Sequence, residues 1–325
     1  MTSRLHQLRS SATARRLRTT ACVAVALALS ASAVAQATAR AGADAPRDAP
    51  LYGVTIDKLT HLRETLNSLA ALPERPTTRV YFNAHEPASY YAQALPEIDG
   101  VSAVLGELLD SSEEKSISTE AFQARVQSYL QTLGSEVNIW EVGNEVNGNW
   151  TGPYPVVAAK LSEAYEDVAA AGGESALTLY ANNFGPENCG DGSAELTPVQ
   201  FAQQYIPAEV ADGLDYVLLS YYPTECGGRE PSSEEVTSYM RQLHALFPNA
   251  ALGFGEVGLP RRARGAKVAT AEQIMHWAYA LEVSLPCYIG GYFWWYGVED
   301  ALRATAPLAG ALREAFTSES EALGP

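Results

Sequence analysis

Two glutamates that follow apolar segments are the residues of this chain best suited to chemistry. Glu145 follows the run Val137–Val142 and is preceded by Asn144, and Glu256 follows the run Ala251–Gly255. If both runs are parallel strands of one barrel, their carboxyl ends open on the same face and the two carboxylates share a pocket. Two carboxyl groups in one pocket are the minimum equipment for cleaving a glycosidic bond. We therefore take Glu145 and Glu256 as candidate catalytic residues.

The elements that would position them alternate regularly, because short apolar runs are separated by stretches of helical periodicity. Several of the runs are almost continuously apolar, as expected for parallel strands that are buried on both faces. We predict eight strands, at Tyr52–Ile56, Thr78–Asn83, Ser102–Glu107, Val137–Val142, Leu177–Ala181, Tyr216–Tyr221, Ala251–Gly255 and Tyr288–Trp294.

Helix starts are predicted at two capping-box patterns, Ser232-x-x-Glu235 and Thr270-x-x-Gln273. Strand–helix alternation repeated eight times predicts the α/β class and a single-domain (β/α)8 TIM barrel. A doubly wound open sheet is the rival architecture. It usually carries a glycine-rich turn after its first strand, and none follows Ile56.

Polar and aromatic side chains follow the other predicted strands. Because these strand ends meet on one rim, amides, phenols, indoles and carboxylates collect there, which is typical of a carbohydrate site. The sequence does not decide which member of Tyr221–Tyr222 or of Trp294–Trp295 faces the rim. Beyond the two glutamates, the substrate-binding candidates are Asn144, Arg79, Tyr222, Trp294, Trp295, Trp150, Asn183 and His85.

These strand-end residues resemble those of the clan A glycoside hydrolases, the retaining (β/α)8 enzymes. The resemblance covers nearly the whole chain after the N-terminal segment. Its local likenesses differ, since Val142–Val146 is similar to the plant-type β-1,3-glucanases and Ser220–Pro223 to the endo-β-1,4-galactanases. The segment around Glu256 is similar to the cellulase and mannanase branch. The likeness therefore concerns the clan and not one family within it.

The resemblance implies a role for each matching residue. Glu145 would be the acid/base and Glu256 the nucleophile. Asn144 would hold the 2-hydroxyl of the sugar, while Tyr222 and Arg79 would contact the nucleophile, although Arg79 is also compatible with a purely structural ion pair. Trp294 or Trp295 would form the floor of the subsite that holds the reacting sugar. Trp150 is not part of the resemblance; its position in the loop after Glu145 fits both a second sugar platform and a packing residue.

Two positions depart from the clan. Predicted strand three ends in Glu107–Asp110 without the histidine that is common there, and Ser220 stands where a histidine often precedes the tyrosine by two positions. Both positions shape substrate subsites. The departures therefore leave the sugar and the linkage open.

The N-terminus has the layout of a secretory signal peptide. A basic head is followed by the apolar run Ala21–Leu29 and by small residues suited to cleavage. A retained membrane anchor is the alternative, but this run is short for crossing a bilayer. We predict a signal peptide at 1–37, a flexible extension at 38–50, the catalytic domain at 51–318 and a C-terminal tail at 319–325. The expected location is extracellular or periplasmic, without membrane attachment after cleavage.

The net charge restricts the partners. Residues 1–37 contain five of the 22 Lys and Arg and none of the 38 Asp and Glu, so 17 basic against 38 acidic residues remain, a formal charge of −21. So acidic a surface repels nucleic acid and anionic lipid. The charge is compatible with a neutral substrate, and solubility outside the cell explains it equally well. Together with the resemblance, it leads us to expect a neutral β-linked glycan as the substrate, no nucleic acid, and a monomer.

The cysteines agree with an oxidising compartment. Cys189 and Cys226 follow consecutive predicted strands and are expected to pair, whereas Cys287 is expected to remain a buried free thiol. The zinc motifs C-x-x-C and H-E-x-x-H are absent from the sequence, so no metal and no cofactor is implied.

Together these features predict a secreted retaining β-glycosidase that acts by double displacement. The chain is short for this fold, which leaves little sequence for loops around a blind pocket and favours endo over exo action. Two alternatives remain open. A transglycosylase would use the same residues, and a non-catalytic carbohydrate-binding barrel would keep the aromatic rim.

Overall fold

The computed structural model describes residues 50–184, Cys189 and residues 195–323. Eight strands pair in chain order, all parallel, into one closed barrel. This confirms the predicted (β/α)8 barrel, with strand ends shifted by at most a few residues. The strands are β1 (Leu51–Ile56), β2 (Thr77–Tyr81), β3 (Ala103–Glu107), β4 (Ile139–Gly143), β5 (Glu174–Tyr180), β6 (Tyr216–Tyr221), β7 (Ala251–Val257) and β8 (Tyr288–Trp294).

Helices and short 3₁₀ turns connect the strands. The helices are α1 (Leu62–Ala70), α2 (Ala88–Tyr91), α3 (Leu95–Asp99), α4 (Thr119–Leu133), α5 (Tyr154–Ala171), α6 (Pro198–Tyr205), α7 (Ala208–Gly213), α8 (Ser233–His244), α9 (Lys267–Tyr279), α10 (Gly297–Asp300) and α11 (Ala309–Leu323). The 3₁₀ turns are Glu114–Ser116, Asn149–Thr151 and Pro223–Cys226. Within the described ranges, no helix combines the length and the apolar character needed to cross a membrane.

One of the two predicted helix starts is correct. Ser232 and Glu235 form a complete capping box at the start of α8. The start predicted at Thr270 is wrong, because α9 already begins at Lys267. Its N-cap position is Ala266, which has no side chain able to cap, so no sequence pattern marks this start.

The side chains of the strands alternate between the barrel interior and the surrounding helices. Leu105 of β3 and Ile139 of β4 belong to an apolar layer inside the barrel, whereas their neighbours Val104 and Trp140 belong to the outer core that packs on the helices. The next inward positions toward the carboxyl ends carry charge rather than apolar groups. The upper part of the interior is therefore polar, directly above an apolar floor.

A bulge in β7 sets the direction of Glu256. The pairing of β6 with β7 shifts register between Leu219–Phe254 and Ser220–Glu256, which leaves Gly255 as the extra residue. A Cβ at Gly255 would lie 2.5 Å from Thr178 Oγ1 and 2.9 Å from Leu218 Cβ, so only glycine fits. The extra residue brings Glu256 to the interior instead of the helix side.

Strand β8 is irregular in a similar way. Tyr292 and Phe293 have positive φ angles of 64° and 39°, and the pairing with both neighbouring strands shifts register. Phe293 consequently belongs to the interior layer and Trp294 to the outer core. Period-two alternation along this strand could not have predicted which tryptophan faces the rim.

The C-terminal end differs from the prediction. The tail predicted at 319–325 starts inside α11, which continues to Leu323, while residues 324 and 325 lie outside the described residues, as does the predicted signal peptide. The reason is Glu319, which is 1% exposed and accepts a hydrogen bond from the backbone N–H of Gly291 in β8. Burial raises the pKa of Glu319 well above its ordinary value.

Replacing Glu319 by Gln is expected to make the free energy of unfolding less dependent on pH. The carboxyl keeps its proton in the folded state and loses it above a pH of about 4.3 when unfolded, so wild-type stability falls as pH rises, by up to about 1.4 kcal/mol per pH unit. Gln keeps the hydrogen-bond acceptor for Gly291, but it has no carboxyl group to ionise and therefore lacks this loss of stability. Urea unfolding measured from pH 4 to pH 8 should show that the free energy of unfolding of the variant exceeds that of the wild type by an amount that grows with pH.

Glu321→Gln is the matched control, since Glu321 lies on the same helix and is exposed. It should follow the wild-type curve. A Glu319→Gln variant that also follows that curve would show that Glu319 is not protonated in the folded protein.

Candidate active site

Glu145 and Glu256 line one open cleft of about 770 Å³. Two further predicted residues, Trp150 and Tyr222, line the same cleft. The structure thus brings together residues from β4, β6 and β7 that are far apart in sequence. The remaining lining residues are Ser112, Asn149, Tyr180, Glu195, Glu225 and Pro260.

Two hydroxyl groups hold the carboxylate of Glu145. Ser220 Oγ donates to Oε1 at 2.5 Å, and Ser111 Oγ donates to Oε2 at 2.8 Å. Ser111 Oγ in turn accepts from Trp150 Nε1 at 3.1 Å. The backbone of Glu145 has a φ of 46°, a left-handed conformation that costs a non-glycine residue about 1–3 kcal/mol and is common at functional sites.

A cation and a phenol hold the carboxylate of Glu256. Arg79 Nη1 donates to Oε2 at 2.9 Å, and the Tyr222 hydroxyl donates to Oε1. Tyr221, the other tyrosine of the pair, is fully buried and donates to the backbone carbonyl of Arg229, so it belongs to the barrel wall. Both donors to Glu256 stabilise its ionised form.

The two carboxyl groups therefore have different affinities for a proton. Burial raises the pKa of both, and the charge of Glu256 adds to the effect on Glu145, whose pKa reaches about 8. Burial is opposed at Glu256 by Arg79 and by the Tyr222 hydrogen bond, and the pKa there is about 7. When the pair holds one proton, Arg79 and Tyr222 favour its location on Glu145, because both stabilise Glu256 as an anion.

Arg79 is the centre of a buried charge network. Its guanidinium donates to Glu141 through Nε at 2.7 Å and Nη2 at 3.1 Å, and Nη2 also lies 3.1 Å from Glu107 Oε1. Burial raises the pKa of Glu107 well above its ordinary value, against the opposing charge of Arg79, and the charge of Glu141 raises it further. Arg79 thus lies among three buried carboxyl groups, those of Glu107, Glu141 and Glu256.

Asn144 has one free hydrogen-bonding group next to Glu145. Its Oδ1 accepts from the backbone N–H of Ser111 at 2.9 Å, which fixes the amide. Its Nδ2 is buried and has no hydrogen-bond partner among the described residues. A buried donor without a partner is uncommon and is explained if a ligand supplies the acceptor.

The other substrate-binding candidates lie in different surroundings. Trp295 is partly exposed and covers Arg79, with the guanidinium carbon 5.2 Å from the ring centre. Trp294 is 1% exposed and donates to Asp300 at 3.2 Å, so its ring does not reach the rim. Asn183 accepts from Tyr239 at 2.7 Å, and His85 is exposed; neither lines the cleft. The substrate contacts predicted for Trp295, Asn183 and His85 stay predictions.

The cysteine prediction is largely confirmed. Cys189 and Cys226 form a disulfide that links the regions after β5 and β6. Cys287 is a free thiol as expected, but it is partly exposed and not buried. Among the described residues, no group of three His, Cys, Asp or Glu side chains is arranged to hold a metal ion.

Sequence patterns alone do not identify several residues of the site as functional. Glu107 and Glu141 stand directly opposite each other in the pairing of β3 with β4, at inward positions of otherwise apolar strands. An acidic residue in such a run was the available signal. No sequence signal marks Ser111 as a site residue, because only the folded chain brings its hydroxyl group to Glu145.

Replacing Ser220 by Ala is expected to raise the pKa of Glu145. The Ser220 hydroxyl stabilises the ionised carboxylate, so its loss favours the protonated form by about one pKa unit. A carbon-detected NMR titration, with the signal assigned by its absence in Glu145→Gln, measures the value. Ser162→Ala on α5, whose hydroxyl bonds only the carbonyl of Ala158, serves as the control. An unchanged or lowered pKa in Ser220→Ala would refute the assigned hydrogen bond.

No protein-family model and no curated protein matches the sequence. Solved structures do match the fold. A GH10 xylanase from Bispora sp. MEY-1 with xylobiose is 14% identical, with a TM-score of 0.55 over 82% of this chain and 97% of the other.

Two mannanases give similar values. The endo-β-1,4-mannanase from Thermotoga petrophila is 11% identical, with a TM-score of 0.52 over 83% of this chain and 77% of the other. The endo-1,4-β-mannanase from Rhizomucor miehei is 10% identical, with a TM-score of 0.53 over 84% and 94%. These likenesses show that the chain shares its barrel fold with these enzymes.

Proposed function

We propose that this protein is a secreted retaining glycoside hydrolase that cleaves β-linked bonds of a neutral polysaccharide or oligosaccharide. One observation carries the proposal. Two buried carboxyl groups line the same cleft, and only one of them has a cation as partner: Arg79 and Tyr222 stabilise Glu256 as an anion, whereas Glu145 is held by two hydroxyl groups and its pKa is raised further by the charge of Glu256. One group is thereby suited to attack as an anion and the other to donate a proton.

In the first step, the ionised Glu256 carboxylate attacks the anomeric carbon of the bound sugar. The bond to the leaving oxygen breaks, and Glu145 gives that oxygen its proton, so a glycosyl-enzyme ester and a free alcohol form. Glu145 is then ionised. In the second step it removes a proton from water, whose oxygen attacks the anomeric carbon and releases Glu256.

The surroundings support the charge changes of this cycle. Arg79 and Tyr222 stabilise Glu256 as a free carboxylate before the attack and again when it leaves. The charge of Glu256 raises the pKa of Glu145 before the first step, and it disappears when the ester forms. The pKa of Glu145 then falls, which suits its change from acid to base.

The cleft also supports the substrate class. Asn144 Nδ2 is a buried free donor beside the acid/base, which suits a sugar hydroxyl such as the 2-hydroxyl. Trp150 and Tyr180 offer aromatic surface, with ring centres 5.2 Å apart in an edge arrangement. The open form of the cleft favours a chain that passes through it, and thus endo action. The structures with a similar fold include a xylanase and two mannanases, which agrees with a β-glycan.

The Cys189–Cys226 disulfide supports export to an oxidising compartment, because such bonds are rare in the cytosol. Together with the signal-peptide pattern, it supports the proposed extracellular or periplasmic location.

The test is a screen of the purified protein against β-glucans, mannan, galactan and xylan, with sizing of the products. Proton NMR of the first product recorded within minutes reports its anomeric form. We expect one polymer to give shorter oligosaccharides, first released as the β-anomer. Transfer products longer than the substrate would indicate transglycosylation instead, and no turnover of any polymer or derived oligosaccharide would contradict the proposal.

A further inference from the structure

A basic pocket lies beside the candidate active site in this strongly acidic chain. We define it by Arg261, Arg262, Arg264 and Lys267, which line a cavity of about 610 Å³ together with Ala266 and Tyr296. Four of the 17 basic residues after position 37 thus fall within seven consecutive positions. In a protein of net negative charge, such a cluster of cations creates a local positive potential, which attracts anionic groups.

The cations of the basic pocket are little neutralised. Arg261, Arg264 and Lys267 are exposed, and among the described residues no carboxylate oxygen lies within 4.0 Å of their side-chain nitrogens. Arg262 lies 3.8 Å from Glu299, but Glu299 also pairs with Lys58 and Arg303. Glu299 is therefore shared by three cations, and with Arg261, Arg264 and Lys267 lacking a carboxylate within 4.0 Å among the described residues, the pocket keeps a positive charge.

The loop that carries these cations is held in place by hydrogen bonds to the carboxylate of Asp300. The backbone N–H of Ala263 donates to both carboxylate oxygens of Asp300, each at 3.1 Å. The same carboxylate accepts from Trp294 Nε1 at 3.2 Å, which ties the loop to the end of β8. Arg262 and Arg264 flank this buried anchor, so their backbones are held in place before any ligand binds. Such preorganisation reduces the entropy cost of binding.

The basic pocket adjoins the catalytic cleft. Pro260 lines the cleft and the next residue, Arg261, lines the pocket. Tyr296, the aromatic wall of the pocket, directly follows Trp295, which covers Arg79. One extended ligand can therefore occupy both cavities.

The two cavities have opposite charge. Glu145, Glu195, Glu225 and Glu256 line the cleft, and no Lys or Arg is among its described lining residues. An anionic sugar at the point of cleavage would be repelled there. An anionic group a short distance along the chain would meet the guanidinium groups of the basic pocket, which bind carboxylates and sulfates with two parallel hydrogen bonds.

We propose that the basic pocket binds an acidic substituent, a carboxylate or sulfate ester, on a glycan whose neutral backbone lies in the catalytic cleft. This rests on the proposed function in that the same glycan is the substrate. Arg261 and Arg264 would contact the oxyanion, and Tyr296 would pack against the sugar that bears it.

The test measures binding separately from turnover. Isothermal titration calorimetry on the Glu256→Gln protein uses β-1,4-linked gluco-, xylo- and manno-oligosaccharides in unmodified, carboxymethylated and sulfated forms. The Arg261→Gln/Arg264→Gln double variant is compared with Arg241→Gln/Arg313→Gln, which removes the same charge from exposed arginines of α8 and α11. The measured quantity is the affinity of each acidic oligosaccharide relative to its unmodified counterpart.

We expect a ratio above one that falls about tenfold or more in the pocket variant, keeps its value in the control, and declines with added salt. The form that shows the larger ratio identifies the substituent as carboxylate or sulfate. Equal ratios in the two double variants, or no preference for any acidic form, would overturn the inference. A ratio that falls only in the pocket variant supports it even if the Glu256-containing enzyme hydrolyses none of the glycans, in which case the proposed function fails alone.

Discussion

Replacing Glu256 by Ala is expected to lower kcat on the glycan substrate by at least about 10⁴-fold, because the carboxylate proposed to form the glycosyl-enzyme is lost. The Glu256→Gln variant should lose a similar factor while it keeps the shape of the side chain. Glu225→Ala removes another carboxylate of the same cleft and is the matched control, with an expected loss of less than about tenfold.

In Glu256→Ala, a small external anion can take the place of the missing carboxylate. Azide or formate that enters it should attack the anomeric carbon of an activated β-glycoside and give a product of inverted configuration. A Glu256→Ala enzyme that keeps a tenth of the wild-type kcat, with the fold intact by circular dichroism, would show that Glu256 is not the nucleophile.

Replacing Glu145 by Ala is expected to lower kcat on natural glycans by about 10²–10⁴-fold, the usual size of general acid–base catalysis. The loss should depend on the leaving group. A dinitrophenyl glycoside needs no proton for its departure, so its first step should remain fast and the glycosyl-enzyme should accumulate. The alkaline limb of the pH profile, which reports the ionisation of Glu145 with its raised pKa, should disappear.

Azide separates this role from a purely structural one. It should attack the accumulated glycosyl-enzyme without base assistance, restore turnover and give a glycosyl azide of retained configuration. If Glu145→Ala loses the same factor on natural and dinitrophenyl substrates and azide has no effect, the acid/base assignment is wrong.

The sequence predicted the barrel and the position of Glu145 and Glu256 in one cleft, because both depend on local patterns. Apolar runs of strand length repeat eight times, and a glutamate follows the fourth and the seventh. In a parallel barrel, those two ends necessarily meet on one rim. The predictions of Arg79 and Tyr222 as contacts of Glu256 came from the resemblance, and the hydrogen bonds of both are present.

The features that the sequence did not predict depend on register and on tertiary contacts. The bulge at Gly255 and the irregular β8 change which residues face inward, so alternation could not separate Trp294 from Trp295. The start of α9 lacks a capping side chain, and the C-terminal tail proved helical because Glu319 packs against β8. Ser111 reaches Glu145 through a loop contact that has no pattern in the sequence.

The role of Glu256 as nucleophile can be tested by covalent trapping with a 2-deoxy-2-fluoro glycoside of the sugar that the screen identifies. Fluorine at C2 slows both steps, while a dinitrophenolate leaving group keeps the first step fast enough for the ester to accumulate. Mass spectrometry of the digested protein should find one label per molecule, on the peptide that contains Glu256, and none in Glu256→Gln. A label on another residue, or hydrolysis of the parent glycan with no label at all, would contradict the account.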